Sequence, residues 1–309
     1  MEVLTQQYAA FNSEKTALTI GMFDGVHRGH QQIIEQLNIY AERHNQRSCL
    51  FTFWPHPRLV LQKDTALKLL NTKDEKMQLL QGFGLDSIYF QDFTTDFSKL
   101  NSEEFVRDFL VNKLNVGSLV IGHDHQFGKN RQGDFSSLKA LSKKYGFEVF
   151  QLDAITEKSL PISSTKIRNA LTQGDLSYSN EALGYAYMIS GEVVTGDGIG
   201  RTLGFPTVNL QVSTLKLLPK DGVYGVTLNW EEKLYFGLLN IGNRPTFNGS
   251  EHRIEIYVLD FEGDLYNEML QIHLLIRLRD EMRFVDKQQL VAQIKKDEQI
   301  FRDYLKSNL

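Results

Sequence analysis

Along the first half of the chain, short apolar runs alternate with stretches in which apolar residues recur every three or four positions. "ALTIGMF" (17–23) has the pattern of a buried strand. "GHQQIIEQLNIYAERH" (29–44) that follows sets Ile33, Ile34, Leu37 and Tyr40 on one side of a helix. "SCLFTFW" (48–54), "DSIYF" (86–90), "GSLVIG" (117–122) and "FEVFQLD" (147–153) are further strands. Between them, "KDEKMQLLQGFG" (73–84) and "DFSSLKALSKKYG" (134–146) are helices closed by Gly, and "NSEEFVRDFLVNKL" (101–114) is a helix opened by Asn101 or Ser102. Strand and helix in alternation predict βαβ units, a parallel sheet and a Rossmann-like α/β fold, with ligands beyond the carboxyl ends of the strands.

From about Gly184 the pattern changes. "YMISGEVVTGDGIG", "FPTVNLQV", "GVYGVTLNW", "KLYFGLLNIG", "HRIEIYVLDF" and "MLQIHLLIRLRD" are β-type runs divided by Gly, Asn and Asp, which predicts a six-stranded β-barrel. A last amphipathic stretch, "DKQQLVAQIKKDEQIFRDYLKS" (286–307), predicts one closing helix whose apolar face holds Leu290, Val291, Ile294, Ile300 and Phe301. The polar, broken stretch "GDLSYSNEALG" (174–184) is expected to join the two domains, 1–182 and 183–309.

Composition narrows the function. With 309 residues, two domains are expected, and an apolar content of 41% suffices for their cores. A net charge of -4 gives no electrostatic reason to expect a nucleic-acid partner. The lone Cys49 excludes an internal disulfide and a Cys-rich zinc site. No basic, apolar leader opens the sequence, and no uncharged run approaches the roughly 20 residues of a membrane helix. A cytoplasmic protein without membrane attachment is expected.

The chemistry concentrates where strands end. In "MFDGVHRGH" the first strand stops near Phe23, Gly25 and Gly29 permit tight turns, and a helix is expected to begin near Gly29 or His30. A helix N-terminus attracts anions through its free N–H groups and its dipole. His27 and His30 beside it can donate hydrogen bonds to phosphate oxygens. A plain turn with two surface histidines fits the same letters, and a zinc site would need a third ligand beyond Asp24. Other clusters fall on the same predicted edge. "PISSTKIRNAL" sets Ser163, Ser164, Thr165 and Arg168 around a helix start, "TFWPHPR" sets His56 and Arg58 after the next strand, and "IGHDHQFGKNRQGD" sets Asp124, His125, Lys129 and Arg131 after the fourth. Together these segments resemble the HxGH nucleotidyltransferase superfamily. In full, they resemble the adenylyltransferase half of bacterial bifunctional FAD synthetases (riboflavin kinase/FMN adenylyltransferase). The resemblance implies that His27 and His30 bind the phosphates of ATP, with Gly21, Phe23, Asp24, Gly29, Ser163, Ser164, Thr165 and Arg168 completing the cradle. It implies that His56, Pro57, Arg58, Asp124 and Phe127 lie on the FMN side. Many relatives have Asn where this chain has Met22.

In the second half, "TGDGIGRTLGFPTVNL" (195–210) carries Gly196, Gly198, Gly200 and Gly204 but is neither a Walker A loop nor GxGxxG. Pro206 fixes the backbone before Thr207 and Asn209, which share one strand face at a spacing of two. Their oxygens are hard ligands suited to Mg²⁺ on nucleotide phosphates. Glu255 and Tyr257 share a face in the strand "HRIEIYVLDF", where a carboxylate can act as a base; a solvated strand face fits as well. "LLNIGNRPTFNGSEHR" is expected to be a turn-rich, lid-like loop. These motifs resemble riboflavin kinase. The resemblance implies Mg-ATP at Thr207 and Asn209 beside the Gly196–Gly204 loop, and Glu255 as the base for the riboflavin hydroxyl. Tyr257 stands where relatives often have His. Riboflavin, FMN and ATP are thus the expected partners, and FAD the product. A flavin sensor without turnover is the alternative of another class.

Overall fold

The computed structural model describes residues 1–5, 14–64, 66–122, 127–128, 133–152, 156–157, 160–196, 200, 203–246 and 249–308. The chain forms two compact units, Met1–Ser164 and Thr165–Leu309.

The first unit is a parallel sheet of six strands: β1 (Glu2–Leu4), β2 (Thr16–Ile20), β3 (Arg47–Trp54), β4 (Ser87–Asp92), β5 (Val116–Gly122) and β6 (Glu148–Leu152), in the order β1-β4-β3-β2-β5-β6. β2 is buried along its whole length and pairs in parallel with β3 on one side and β5 on the other. From β2 the chain winds outward through β3 and β4, then returns to add β5 and β6 on the far side. The point where the winding reverses therefore lies between β2 and β5, where α/β sheets open a crevice for ligands.

Helices cover both faces. α1 (Arg28–Arg43) and α3 (Lys73–Gln81) set Ile34, Leu37, Ala41 and Leu80 against Leu50, Ile88 and Val120. On the other face, α4 (Ser102–Phe105, continuing as a π-helical turn over Val106–Val111) and α5 (Phe135–Tyr145) pack Phe105, Leu110 and Leu138 against Phe51, Tyr89 and Leu119. The helix starts follow side-chain chemistry. Thr72 with Glu75, and Asn101 with Glu104, form capping boxes, each satisfying two orphan backbone donors. Cys49 is buried, which pushes its thiol up to about 12 and leaves it inert. A short helix, α2 (Pro57–Leu61), fills part of what the sequence presents as a loop, with His56 as its cap and Pro57 at its first position.

The division between the units falls at the start of α6 (Ser164–Gln173), and α7 (Leu176–Leu183) follows it in the second unit. The "GDLSYSNEALG" stretch is thus a helix rather than a broken linker. Asp175 caps it, Gly184 closes it in the left-handed conformation, and its polar Ser179 is fully buried with its hydroxyl bonded to Asp175 O. Six antiparallel strands follow: β9 (Tyr187–Val194), β10 (Thr207–Val212), β11 (Gly222–Trp230), β12 (Lys233–Thr246), β13 (Gly249–Val258) and β14 (Met269–Arg279). A two-stranded hairpin, β7 (Thr156–Glu157) with β8 (Leu160–Pro161), precedes them in the first unit. The six close into a barrel, β10-β13-β12-β11-β14-β9. The expected lid over "NIGNRPTFNGSEHR" is instead a continuing ladder, paired from Gly237↔Val258 to Thr246↔Gly249.

α8 (Lys287–Asn308) closes the barrel, with Phe301 fully buried against Leu238 and Leu259. Gly225 lets Phe301 approach, because a Cβ there would lie inside the ring's contact distance. Ile300, expected in the apolar face, is exposed, and the buried partner of Phe301 on that side of the helix is Asp297. Both carboxylate oxygens of Asp297 accept from Arg279 Nε, at 3.1 and 2.9 Å, and Gln293 Nε2 donates to it at 2.7 Å. Asp297→Ala leaves Arg279 without its partner at a mostly buried site and is expected to cost about 3 kcal/mol. Denaturant unfolding of the full chain in a Trp54→Phe background, followed by Trp230 fluorescence, measures it.

Candidate active sites

The first site forms at the carboxyl tip of β2. The chain turns through Phe23 (φ 48°), Gly25 (φ 86°) and Val26 (φ 35°) before α1 begins. A positive φ at a β-branched residue is strained, and such strain persists only where the surroundings hold it. Here Phe23, Asp24 and Val26 are buried, at 3% exposure or less. α1 starts at Arg28, one or two residues earlier than the letters suggest, because His27 itself is the cap. Its Nδ1 accepts from His30 N at 3.4 Å. The His27 and His30 rings stack, with centroids 3.7 Å apart and planes 15° from parallel. Phe23 lies 4.9 Å from the His30 ring. Gly29 makes this possible, since a Cβ there would meet the His27 ring at 3.1 Å, and Gly21 likewise leaves room for Phe23. Burial first, then His27, then Lys76 hold His30 well below the ordinary imidazole range, so at neutral pH it is uncharged. His30 Nδ1 is sealed from solvent without a hydrogen-bond partner among the described residues.

Asp24 ties the turn to its surroundings. Its carboxylate accepts from Leu70 N at 3.0 and 3.3 Å and from Asn71 N at 3.3 Å, and its carbonyl accepts from Ser164 Oγ at 2.8 Å. Asp24 is therefore a structural anchor, and Ser164 is brought to the histidine turn. Thr165 and Arg168 follow on α6, with Arg168 one helical turn after Ser164; Ser163 directly precedes that helix. His56 is 9% exposed, and its Nδ1 accepts from Arg58 N at 3.1 Å, while Arg58 pairs with Asp64 at 2.5 Å. Phe127 is buried, bridges Gly133 in both directions and lies 6.1 Å from Phe105. It ends a chain of aromatic contacts that runs through Phe105, Phe97 and Phe53, the last of these at the carboxyl end of β3. Asp124, His125, Lys129 and Arg131 lie outside the described residues.

Three participants escaped the sequence pattern. Lys76 of α3 is 2% exposed, and its Nζ donates to Met22 O at 2.7 Å; Thr52 Oγ1 donates to the same carbonyl at 3.3 Å. Asn71 is fully buried. The signal for Lys76 was present: it lies four residues before Leu80, on the buried face of α3.

The second site lies on the barrel. Register places Thr207 opposite Tyr257 and Asn209 opposite Glu255, and Asn240 of β12 faces Glu255 from the other side. Directly opposite residues share a face, with Cβ atoms about 4.5–5.5 Å apart. Thr207, Asn209, Glu255 and Asn240 therefore form one patch, while Ile254 and Ile256 are buried on the other face. Tyr257 belongs to the cluster under α8, and burial, then Glu298 and Asp260, raise its pKa. The Gly-rich segment backs this patch. A Cβ on Gly196 would overlap the Asn209 amide, and one on Gly200 would overlap Phe205 O and meet Thr207 Oγ1 at 3.0 Å. Gly204 takes a left-handed conformation (φ 84°) before Pro206, and Gly198 lies outside the described residues. Glu255 is half-exposed and has Arg253 Nη1 3.3 Å from its Oε1. Hydroxyl, amide and carboxylate oxygens in one row are a donor set that fits Mg²⁺.

Two histidines on a helix N-terminus at the reversal of a parallel sheet have the chemistry to handle phosphate. A carboxylate facing a Thr/Asn pair has the chemistry for phosphoryl transfer. Similarity to known proteins gives the class of each half. The FAD synthetase family model matches residues 10–166 and the riboflavin kinase family model residues 183–305. The bifunctional riboflavin kinase/FMN adenylyltransferase of Escherichia coli (strain K12) is 37% identical over 94% of this chain and 93% of its own. The protein of the same description from Listeria monocytogenes is 37% identical over 98% and 95%. A solved structure described as a macrolide-efflux protein from Streptococcus pneumoniae superposes with a TM-score of 0.90 at 29% identity, covering 98% of this chain and 99% of that one. No helix among the described residues is long and apolar enough to cross a membrane. The chain belongs to the family of bifunctional riboflavin kinase/FMN adenylyltransferases, with the nucleotidyltransferase first and the kinase second, in the family's order.

Proposed function

We propose that the adenylyl transfer from ATP to FMN takes place at the His27–His30 turn of residues 1–182, and the phosphorylation of riboflavin at the Thr207–Glu255 patch of residues 183–309. The observation that carries the first assignment is the stacked pair of imidazoles at the start of α1, held by the buried Asp24 anchor. A phosphate oxygen of FMN attacks the α-phosphorus of ATP and pyrophosphate leaves. No covalent enzyme intermediate is needed. His27 and His30 donate hydrogen bonds to the polyphosphate, and the α1 N-terminus and Ser164 complete the cradle. Ser163, Thr165 and Arg168 are assigned to the same phosphates. His56, Pro57, Arg58, Asp124 and Phe127 are assigned to the FMN side, where the aromatic chain ending at Phe127 suits a flavin ring.

In the barrel, Thr207 Oγ1 and the Asn209 amide oxygen would hold Mg²⁺, and Gly196, Gly198, Gly200, Gly204 and Pro206 would shape the ATP loop. Magnesium, when bound, neutralises phosphate charge as the γ-phosphoryl group transfers. Glu255 accepts the proton of the riboflavin 5′-hydroxyl. Gly196→Ala pushes a methyl into Asn209 and is expected to raise the KM for ATP of FMN formation about tenfold, the equivalent of one hydrogen bond of ~1.4 kcal/mol. Initial rates against ATP concentration measure it.

The cytoplasm, which holds riboflavin and ATP, is the assigned compartment, with small molecules as partners and neither nucleic acid nor membrane. FMN leaves one site and enters the other through solution. The experiment that tests the whole assignment incubates the purified chain with riboflavin, ATP and Mg²⁺ and separates the flavins over time. FMN first and FAD after it supports both sites; FAD without transient FMN counts against free transfer.

A further inference from the structure

Lys76 is an unusual lysine. Burying an ammonium is costly unless it is paired with a carboxylate and its donors are used. Lys76 Nζ has three donors and, among the described residues, one hydrogen bond, to the Met22 carbonyl. Its Nζ also lies 5.9 Å from the centre of the Trp54 ring. The carboxylate whose field reaches it, Asp24, is occupied by the N–H groups of Leu70 and Asn71. Burial drives Lys76 down to about 8, against the opposing pull of Asp24, so it keeps most of its charge at neutral pH. The same seam holds Asn71, fully buried, with neither amide atom hydrogen-bonded among the described residues. A cation held this way has few partners for the cost of its burial. It sits behind the turn that carries His27 and His30, bonded to the Met22 carbonyl.

Resting on the assignment of His27 and His30 to the polyphosphate, we propose that Lys76 is a positioning residue of the adenylyl-transfer site. Its ammonium clamps the Met22 carbonyl and so fixes the strand-to-helix turn, and it lays a buried positive charge behind the turn that carries His30. Two stacked imidazoles cannot both be charged cheaply, and a third cation nearby raises that cost. Among the described residues, the charged and titratable groups at this seam are Asp24, His27 and His30 from the turn and α1, and Lys76 from α3. Of the other charges at the start of α3, Asp74 is exposed, Glu75 accepts from Thr72 N at 2.9 Å, and Lys73 lies 5.0 Å over the Phe90 ring.

The test measures kcat/KM for FAD formation from FMN, ATP and Mg²⁺ against pH, with the full-length chain. Lys76→Met is expected to lower it on the order of tenfold, below the 10² that an ångström of misplacement can cost. Removing the cation raises the pKa of His30, so the acid limb of the profile moves to higher pH. Lys76→Arg restores both the rate and the limb, and FMN formation from riboflavin is unchanged throughout. Lys76→Gln keeps a donor for Met22 and removes only the charge, so it carries the same test where the Met variant does not fold. A packing role would lower the rate without moving the limb, and that result, or a wild-type rate in Lys76→Met, overturns the proposal. His30→Ala run in parallel separates the two levels. A fully active His30→Ala overturns the site assignment and this proposal with it. An inactive His30→Ala beside an unaltered Lys76→Met overturns this proposal alone.

Discussion

His30→Ala is expected to convert riboflavin to FMN at the wild-type rate and then stall, with FAD formation reduced about 10²–10³-fold, the usual loss when a donor to developing phosphate charge is removed. The size follows from the ring's position. His30 stands at the start of α1, stacked on His27 and packed beside Phe23, and burial holds it neutral. A neutral imidazole offers an N–H in a fixed direction, and no water has to reorganise as charge moves onto the leaving pyrophosphate. Truncation to Ala removes the donor without touching the Asp24 anchor, which is bonded to Leu70, Asn71 and Ser164. The helix start survives as well, because His27 accepts from the backbone N–H of residue 30, which Ala retains. Chromatographic separation of the flavins, starting once from riboflavin and once from FMN, measures the two reactions in one protein. Equal loss of both would mean that the histidine turn serves both reactions.

Much of this arrangement was legible in the letters because the physics is local. "ALTIGMF" is too apolar to lie on a surface, and the repeat of Ile33, Ile34, Leu37 and Tyr40 turns α1 to the sheet, where Ile34 and Leu37 are fully buried and Ile33 and Tyr40 pack beside them. Gly29, which leaves room for the His27 ring, stands two residues from it. The Thr207/Asn209 spacing of two survives as one face of β10. What the letters hid depends on distant partners. β1 is three residues long and exists because β4 offers it an edge. α7 reads as polar because its buried Ser179 is satisfied within the helix and its Asn180 by β14 and the start of β9. The ladder from Asn240 to Thr246 contains turn-type residues, yet β13 pairs with all of them. Lys76 shares a helix face with Leu80, but only the turn 54 residues earlier, placed over it, tells its ammonium from a solvated one.

Glu255→Gln is expected to do the converse of His30→Ala: FMN is still converted to FAD, while riboflavin phosphorylation falls by about 10²–10⁴-fold, the range for loss of a positioned general base. The substitution keeps the shape and the hydrogen-bonding reach of the side chain, so Arg253, 3.3 Å from the carboxylate, keeps an oxygen to bond and the ladder of β13 with β10 and β12 is undisturbed. Only the capacity to take a proton is lost. Its neighbours in the row are the ones proposed to hold the metal and the phosphates, so Asn209→Ala should weaken ATP use, seen in KM as well as kcat, whereas Glu255→Gln should act on kcat with KM for ATP nearly unchanged. That split decides between two roles for a half-exposed carboxylate. A base loses kcat alone. A metal ligand loses nucleotide affinity with it, and a rise in the KM for ATP on Glu255→Gln would move Glu255 from the proton to the magnesium.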